Sequence, residues 1–136
     1  MTAWRNYYRN NGSKYGNRKV VADGIVFDSI KEKRRWDELK LAEAAGAIGD
    51  LRRQVRFELI PAQREPDTRG PKGGVIKGRL IERKVEYVAD FVYIDLQTGE
   101  KVVEDVKGMR EGTAYAVFKI KRKLMLERFG IRVKEI

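Results

Sequence analysis

The sequence predicts a mixed α+β domain in the order hairpin, helix, three strands, helix, strand, and three observations carry that prediction. Apolar and polar residues alternate with the period of a strand in QVRFELIP, and LIERKVEYVADFVYIDL and EKVVEDVK read as two further strands. Two stretches carry helix start and stop signals, the first from Ser29 to Gly46 and the second from Thr113 to Gly130. Three consecutive strands joined by turns imply an antiparallel meander, and a helix before the last strand suits a strand added in parallel.

Each element has a local cause. KVVADGIVF reads as a hairpin because Asp23-Gly24 is a two-residue turn signal between apolar runs. Asp28 and Ser29 offer N-cap oxygens, and Ser29 with Glu32 fits a capping box, so IKEKRRWDELKLAEAA should be helical and end near Gly46. Residues 62–78 hold two prolines, four glycines and a net-positive charge, which predicts a mobile loop or an extended β-arm. EKVVEDVK should pair with the preceding strand around Gln97-Thr98-Gly99-Glu100, and IRVKE should close the chain. The second helix is expected to bury an arc of Val117, Ile120, Leu124 and Met125, with Lys121 inside that arc. Residues 1–18 read as a flexible basic arm and 19–136 as one domain.

Composition narrows the chemistry. With neither cysteine nor histidine, disulfides, cysteine nucleophiles, histidine bases and histidine-ligated zinc are excluded. Any metal would be held by oxygen, which favours Mg²⁺ or Mn²⁺. Apolar runs are too short for a membrane-spanning helix, and no secretory signal is apparent, so an intracellular, cytoplasmic protein without membrane contact is expected. A net charge of +10 suggests a polyanionic partner, nucleic acid first and an anionic membrane surface second. From Met1 to Ala22 there are Arg5, Arg9, Lys14, Arg18 and Lys19 and no acid. Interleaved Trp4, Tyr7, Tyr8 and Tyr15 add stacking faces to those cations, although a solubilising tail would carry the same charge.

The candidate chemistry gathers at one strand pair. Residues two apart share a face of a strand, so Asp105 and Lys107 point together and Glu104 points away. If Leu96 lies opposite Lys101, Asp90 lies opposite Lys107, and Asp90, Asp105 and Lys107 meet on one face. Glu32 shares a helical stripe with Trp36 and Leu39 and would add a third inward carboxylate. Two plainer readings stand beside these: Glu32 as a capping residue, and Asp105 with Lys107 as a surface ion pair. Inward carboxylates repel unless a cation lies between them, and a divalent ion would relieve that repulsion. Gln54, just before its strand, reads as a turn-capping or backbone-satisfying residue before it reads as a site residue.

An acid in the first helix, an aspartate at a strand end and an acid-x-lysine pair about fifteen residues later resemble the PD-(D/E)xK endonucleases. KYGNRKVVADGIVFDSIKEKRRWDELKLAEAAGAI, LRRQVRFELIP, YVADFVYID and VVEDVKG resemble, more narrowly, a phage-encoded family related to Holliday-junction resolvases, over residues 14–136. The resemblance implies a restriction-endonuclease-like core with Glu32, Asp90, Asp105 and Lys107 as catalytic residues. It implies Mg²⁺ or Mn²⁺ on Asp90 and Asp105, with Glu32 joining directly or through water. The implied reaction is phosphodiester hydrolysis with Lys107 assisting the attacking water, leaving 5′-phosphate and 3′-hydroxyl ends. Two positions depart from the pattern: Ala89 stands where proline is usual, and Asp105 where glutamate is commoner. Resolving a four-way DNA junction takes two symmetric nicks, so a homodimer without small-molecule cofactor is implied. Lys14, Arg18, Lys19, Lys72, Lys77 and Lys121 are the expected DNA contacts. A non-catalytic DNA-binding module on the same fold, or a general nicking nuclease, would share most of these features.

Overall fold

The computed structural model describes residues 18–136. Lys14 and nearly all of the expected basic arm lie outside these residues. The described chain begins with the expected hairpin, strands β1 (Val20–Ala22) and β2 (Ile25–Phe27). Asp23 and Gly24 both adopt positive φ, 52° and 74°, which suits a two-residue turn matched to the right-handed twist of the strands.

Helix α1 (Ile30–Ala44) follows at once. Ser29 Oγ accepts from Glu32 N at 3.1 Å. Glu32 Oε2 in turn accepts from Asp28 N at 3.1 Å, so the capping box closes one residue further back than its usual form. Gly46, with φ of 78°, sits just past the helix end.

Strand β3 (Ile48–Ile60) starts earlier than the alternation predicts. Its first residues lie before a shift in pairing between Gly49 and Arg52, and Asp50 there has φ of 51°. That irregularity breaks the period of two on which the expectation relied. Residues 62–78 form the β-arm alternative. Strand β4 (Gln63–Arg64), β5 (Thr68–Arg69), β6 (Val75–Ile76) and β7 (Leu80–Glu82) pair β4 with β7 and β5 with β6. The arm is drawn tight at Gly78, where a Cβ would lie 1.7 Å from Glu65 O.

Strand β8 (Val85–Asp95), β9 (Lys101–Asp105), helix α2 (Gly112–Phe129) and β10 (Lys134–Glu135) complete the chain. The main sheet has the order β10-β9-β8-β3, antiparallel except for the parallel β10–β9 pair. The domain is therefore mixed α+β, with a mixed sheet between two helices. On one face Phe91 and Tyr93 pack with Leu39 of α1 and with Trp36. On the other, Tyr87, Ala89, Val92 and Val103 pack with Phe118 and Met125 of α2.

The buried face of α2 differs from the expected arc. Phe118 and Met125 are buried, whereas Val117 is 45% and Ile120 60% exposed. Seven residues make about two helical turns, so Phe118 and Met125 define one stripe, with half-buried Lys121 and Arg122 between them. The sheet offers Tyr87 and Lys107 as partners for Phe118, and those contacts set the rotation of the helix. Among the described residues no helix is long and apolar enough to cross a membrane.

Candidate active site

The β8–β9 register decides which charges meet. Ile94 lies opposite Lys101 and Phe91 opposite Glu104. Continued by one step, this pairing sets Asp90 level with Asp105, not with Lys107 as the expected register had it. The turn is the cause. Asp95 Oδ1 accepts from Gln97 N at 2.9 Å and Thr98 N at 3.3 Å, and Asp95 N donates to Glu100 O at 2.9 Å. The turn thus closes one residue earlier on each strand, an even change in register that leaves the sharing of faces intact. Beyond Glu104 the strands splay, and Asp90 Oδ2 accepts from Val106 N at 2.7 Å where a backbone carbonyl would otherwise serve.

Asp105 is buried and doubly held. Tyr87 Oη donates to its Oδ2 at 2.7 Å, and Lys107 Nζ lies 2.8 Å from its Oδ1. The same ammonium sits 3.6 Å from the centroid of the Phe118 ring, a cation–π contact that ties it to α2. Burial, reinforced by the neighbouring Asp105 charge, holds the Tyr87 hydroxyl protonated far above its ordinary range. It therefore acts as a fixed donor to Asp105.

Glu32 reaches the site from the first turn of α1. It is only 3% exposed, and burial raises its pKa despite the Asp28 amide and nearby Arg53. Arg53 holds its guanidinium over Phe27 and Trp36, with NH2 3.8 Å from Glu32 Oε1. Glu32 is thus both a cap and an inward carboxylate, so the two readings of its sequence position are compatible.

Gln54 joins the two halves of the site. Its Nε2 donates to Glu32 Oε1 and to Asp90 Oδ1, both at 3.3 Å. This residue lies inside β3, not before it, and its φ is 51°. The sequence ranks a turn-capping or backbone role for it ahead of a site role, because a left-handed residue within a strand leaves no mark on hydrophobic periodicity. Asp90 is pushed up to about 7, chiefly by burial, with the Asp105 and Glu32 charges adding to it and the Val106 and Gln54 hydrogen bonds opposing it.

Glu104 has the opposite fate from Asp105. Fully buried on the α1 side, it accepts from Arg35 Nε at 2.8 Å on Oε2 and from Tyr93 Oη at 2.7 Å on Oε1, which Arg35 NH2 also bonds. The two adjacent acids therefore serve two faces: Glu104 anchors α1, and Asp105 faces Lys107.

Among the described residues, no three acids stand close enough to hold a metal ion together. Glu32 is separated from Asp90 by one carboxamide, that of Gln54, which donates to both. Asp90 feels the charges of both Asp105 and Glu32. Beside them an open cleft of about 750 Å³ is lined by residues 106–109 and 111–115, with Lys107 on its wall. Of the expected DNA contacts, Arg18, Lys19, Lys72 and Lys77 are exposed, Lys72 and Lys77 on the arm, and Lys121 is half-buried on α2.

No curated protein and no solved structure matches this sequence. A family model does, over residues 12–135, a span that takes in the hairpin, both helices and every residue of the site: the chain belongs to the family described as protein of unknown function (DUF1064).

Proposed function

We propose that this protein is a divalent-metal-dependent, structure-selective DNA endonuclease of the PD-(D/E)xK type. In this reading the sheet and its two helices are a restriction-endonuclease-like core. Its substrate is a four-way junction, nicked symmetrically by a homodimer in the cytoplasm. One observation carries the reading: Asp90, near enough to Asp105 for the two charges to interact, lies where two strands splay, with Lys107 on Asp105 and an open cleft alongside. A carboxylate pair beside a fixed ammonium is a poor way to stabilise a fold and a good way to bind a cation and a phosphate.

The donor set suits Mg²⁺ or Mn²⁺. Both candidate ligands are carboxylates, and Mg²⁺ is commonly held by one or two carboxylates, with water and substrate phosphate completing its shell. The raised pKa of Asp90 expresses the same need, since burial beside two acids disfavours its charge until a cation offsets it. When bound, the ion would supply Lewis-acid polarisation of the phosphate and a more acidic water.

The chain's own residues do the remaining work. Tyr87 holds the Asp105 carboxylate in one orientation. Lys107, fixed between Asp105 and the Phe118 ring, presents a positive charge where the attacked phosphate becomes more negative. The exposed cations of the arm add sequence-independent attraction for the phosphate backbone.

A labelled four-way junction and a matched linear duplex, each incubated with and without Mg²⁺, test the proposal. Paired nicks in the junction alone, only with Mg²⁺, are the expected result. Equal cutting of both substrates would make the protein a general nuclease, and salt-sensitive binding without cutting would make it a non-catalytic junction binder.

A further inference from the structure

The feature left unexplained by hydrolysis itself is the backbone at Gln54. Pairing of β3 with β8 has the same offset on both sides of this residue, Arg53 with Phe91 and Val55 with Ala89, yet Gln54 and Asp90 themselves are skipped. Both strands also change face there. Arg53 and Phe91 lie on the α1 side, Arg53 over the Phe27 and Trp36 rings, whereas Val55 and Ala89 pack in the α2 cluster. The left-handed φ of 51° at Gln54 is strained for a residue with a long side chain and would suit glycine or asparagine. Glycine would relax the backbone but would leave Glu32 and Asp90 without their shared donor.

We infer that Gln54 is a positioning residue whose carboxamide sets the spacing of Glu32 and Asp90 and thereby strengthens divalent-cation binding. This rests on the endonuclease reading. One NH₂ group donates to both carboxylates, each at 3.3 Å, and so links their positions. Its two N–H bonds leave the other oxygens in other hands: Glu32 Oε2 on the Asp28 amide and Asp90 Oδ2 on the Val106 amide. The result is a chain of contacts from the α1 cap to the end of β9, with Gln54 as its only side-chain donor. Supporting partners that orient a ligand commonly change metal affinity by about 10- to 100-fold when removed.

The test measures Mn²⁺ binding to the full chain by electron paramagnetic resonance, alongside the unfolding temperature without metal. Gln54→Met keeps the side-chain length and removes the donors. Gln54→Gly also removes the backbone strain. Both variants should bind Mn²⁺ about 10- to 100-fold more weakly than wild type, and Gln54→Gly should unfold at the same or a higher temperature. Wild-type affinity in both variants would overturn the inference while leaving the endonuclease reading intact. Absence of Mn²⁺ binding in the wild type would overturn the reading and the inference with it.

Discussion

At the scale of single residues, the site is a set of charges whose partners determine what each can do. Lys107 is held between Asp105 and Phe118, so its removal leaves buried Asp105 with Tyr87 alone and should cost stability as well as activity, and rates are compared at a temperature where the variant is folded. Lys107→Met is expected to lower the single-turnover cleavage rate by about 10²- to 10³-fold, in the range found when one transition-state donor is lost, with junction affinity within a few-fold of wild type. Near-wild-type cleavage would remove Lys107 from the mechanism. Asp90 makes a second prediction, through pH. Its folded pKa of about 7 lies above its ordinary 3.8, so between those values the folded chain holds more protons than the unfolded one. Stability without metal therefore falls as pH rises through that window and levels off above it, by at most about 1.4 kcal/mol per pH unit for this one group. Glu32, also raised, acts in the same direction. Melting temperatures from pH 4.5 to 8 should show the decline, Asp90→Asn should flatten it, and Mg²⁺ should restore stability at the alkaline end. A slope unchanged in Asp90→Asn would show that another group controls it.

At the scale of elements, the question is what fixes α1 against the sheet, since Glu32 is useful only if its helix is held. The Arg35 fork on Glu104 crosses that interface, with Tyr93 taking part. Removing Arg35 would leave a fully buried carboxylate with only the tyrosine, a loss of about 3–5 kcal/mol by comparison with other broken buried pairs. Arg35→Met should therefore lower the melting temperature by roughly 10 °C; a change of a degree or two would mean that the Arg35–Glu104 bridge does not hold α1 to the sheet. This element also shows what the sequence could convey. The hairpin, both helix ends and the order of the main elements follow from local signals, namely Asp23-Gly24, Ser29 with Glu32, and the left-handed Gly46 and Gly130. The inward pairing of Asp105 with Lys107 follows from the period of two. Three features resist such reading because tertiary partners set them. The turn register depends on the Asp95 side chain, the rotation of α2 on Phe118, and the role of Gln54 on a backbone reversal inside a strand.

At the scale of the whole molecule, the β-arm stands apart from the candidate site. Its ladders, β4 with β7 and β5 with β6, belong to neither the four-stranded sheet nor the two core clusters. It also carries exposed cations beside exposed Val75, Ile76 and Ile81. The fold does not need those side chains, so changing them separates binding from stability. Lys72→Ala with Lys77→Ala should leave the melting temperature within about 2 °C, because exposed substitutions usually alter stability by less than ~0.5 kcal/mol. The same double variant should weaken junction binding and reduce the dependence of log affinity on log salt. If each lysine neutralises one phosphate, the slope should fall by about 2 in total. A background slowed in cleavage such as Lys107→Met allows binding to be measured with Mg²⁺ present. An unchanged slope would take the arm away from the DNA and leave its exposed apolar residues as a protein-contact surface. A reduced slope with unaltered cleavage at saturating enzyme would confine the arm to capture, and place the chemistry wholly between α1, the splayed ends of β8 and β9, and α2.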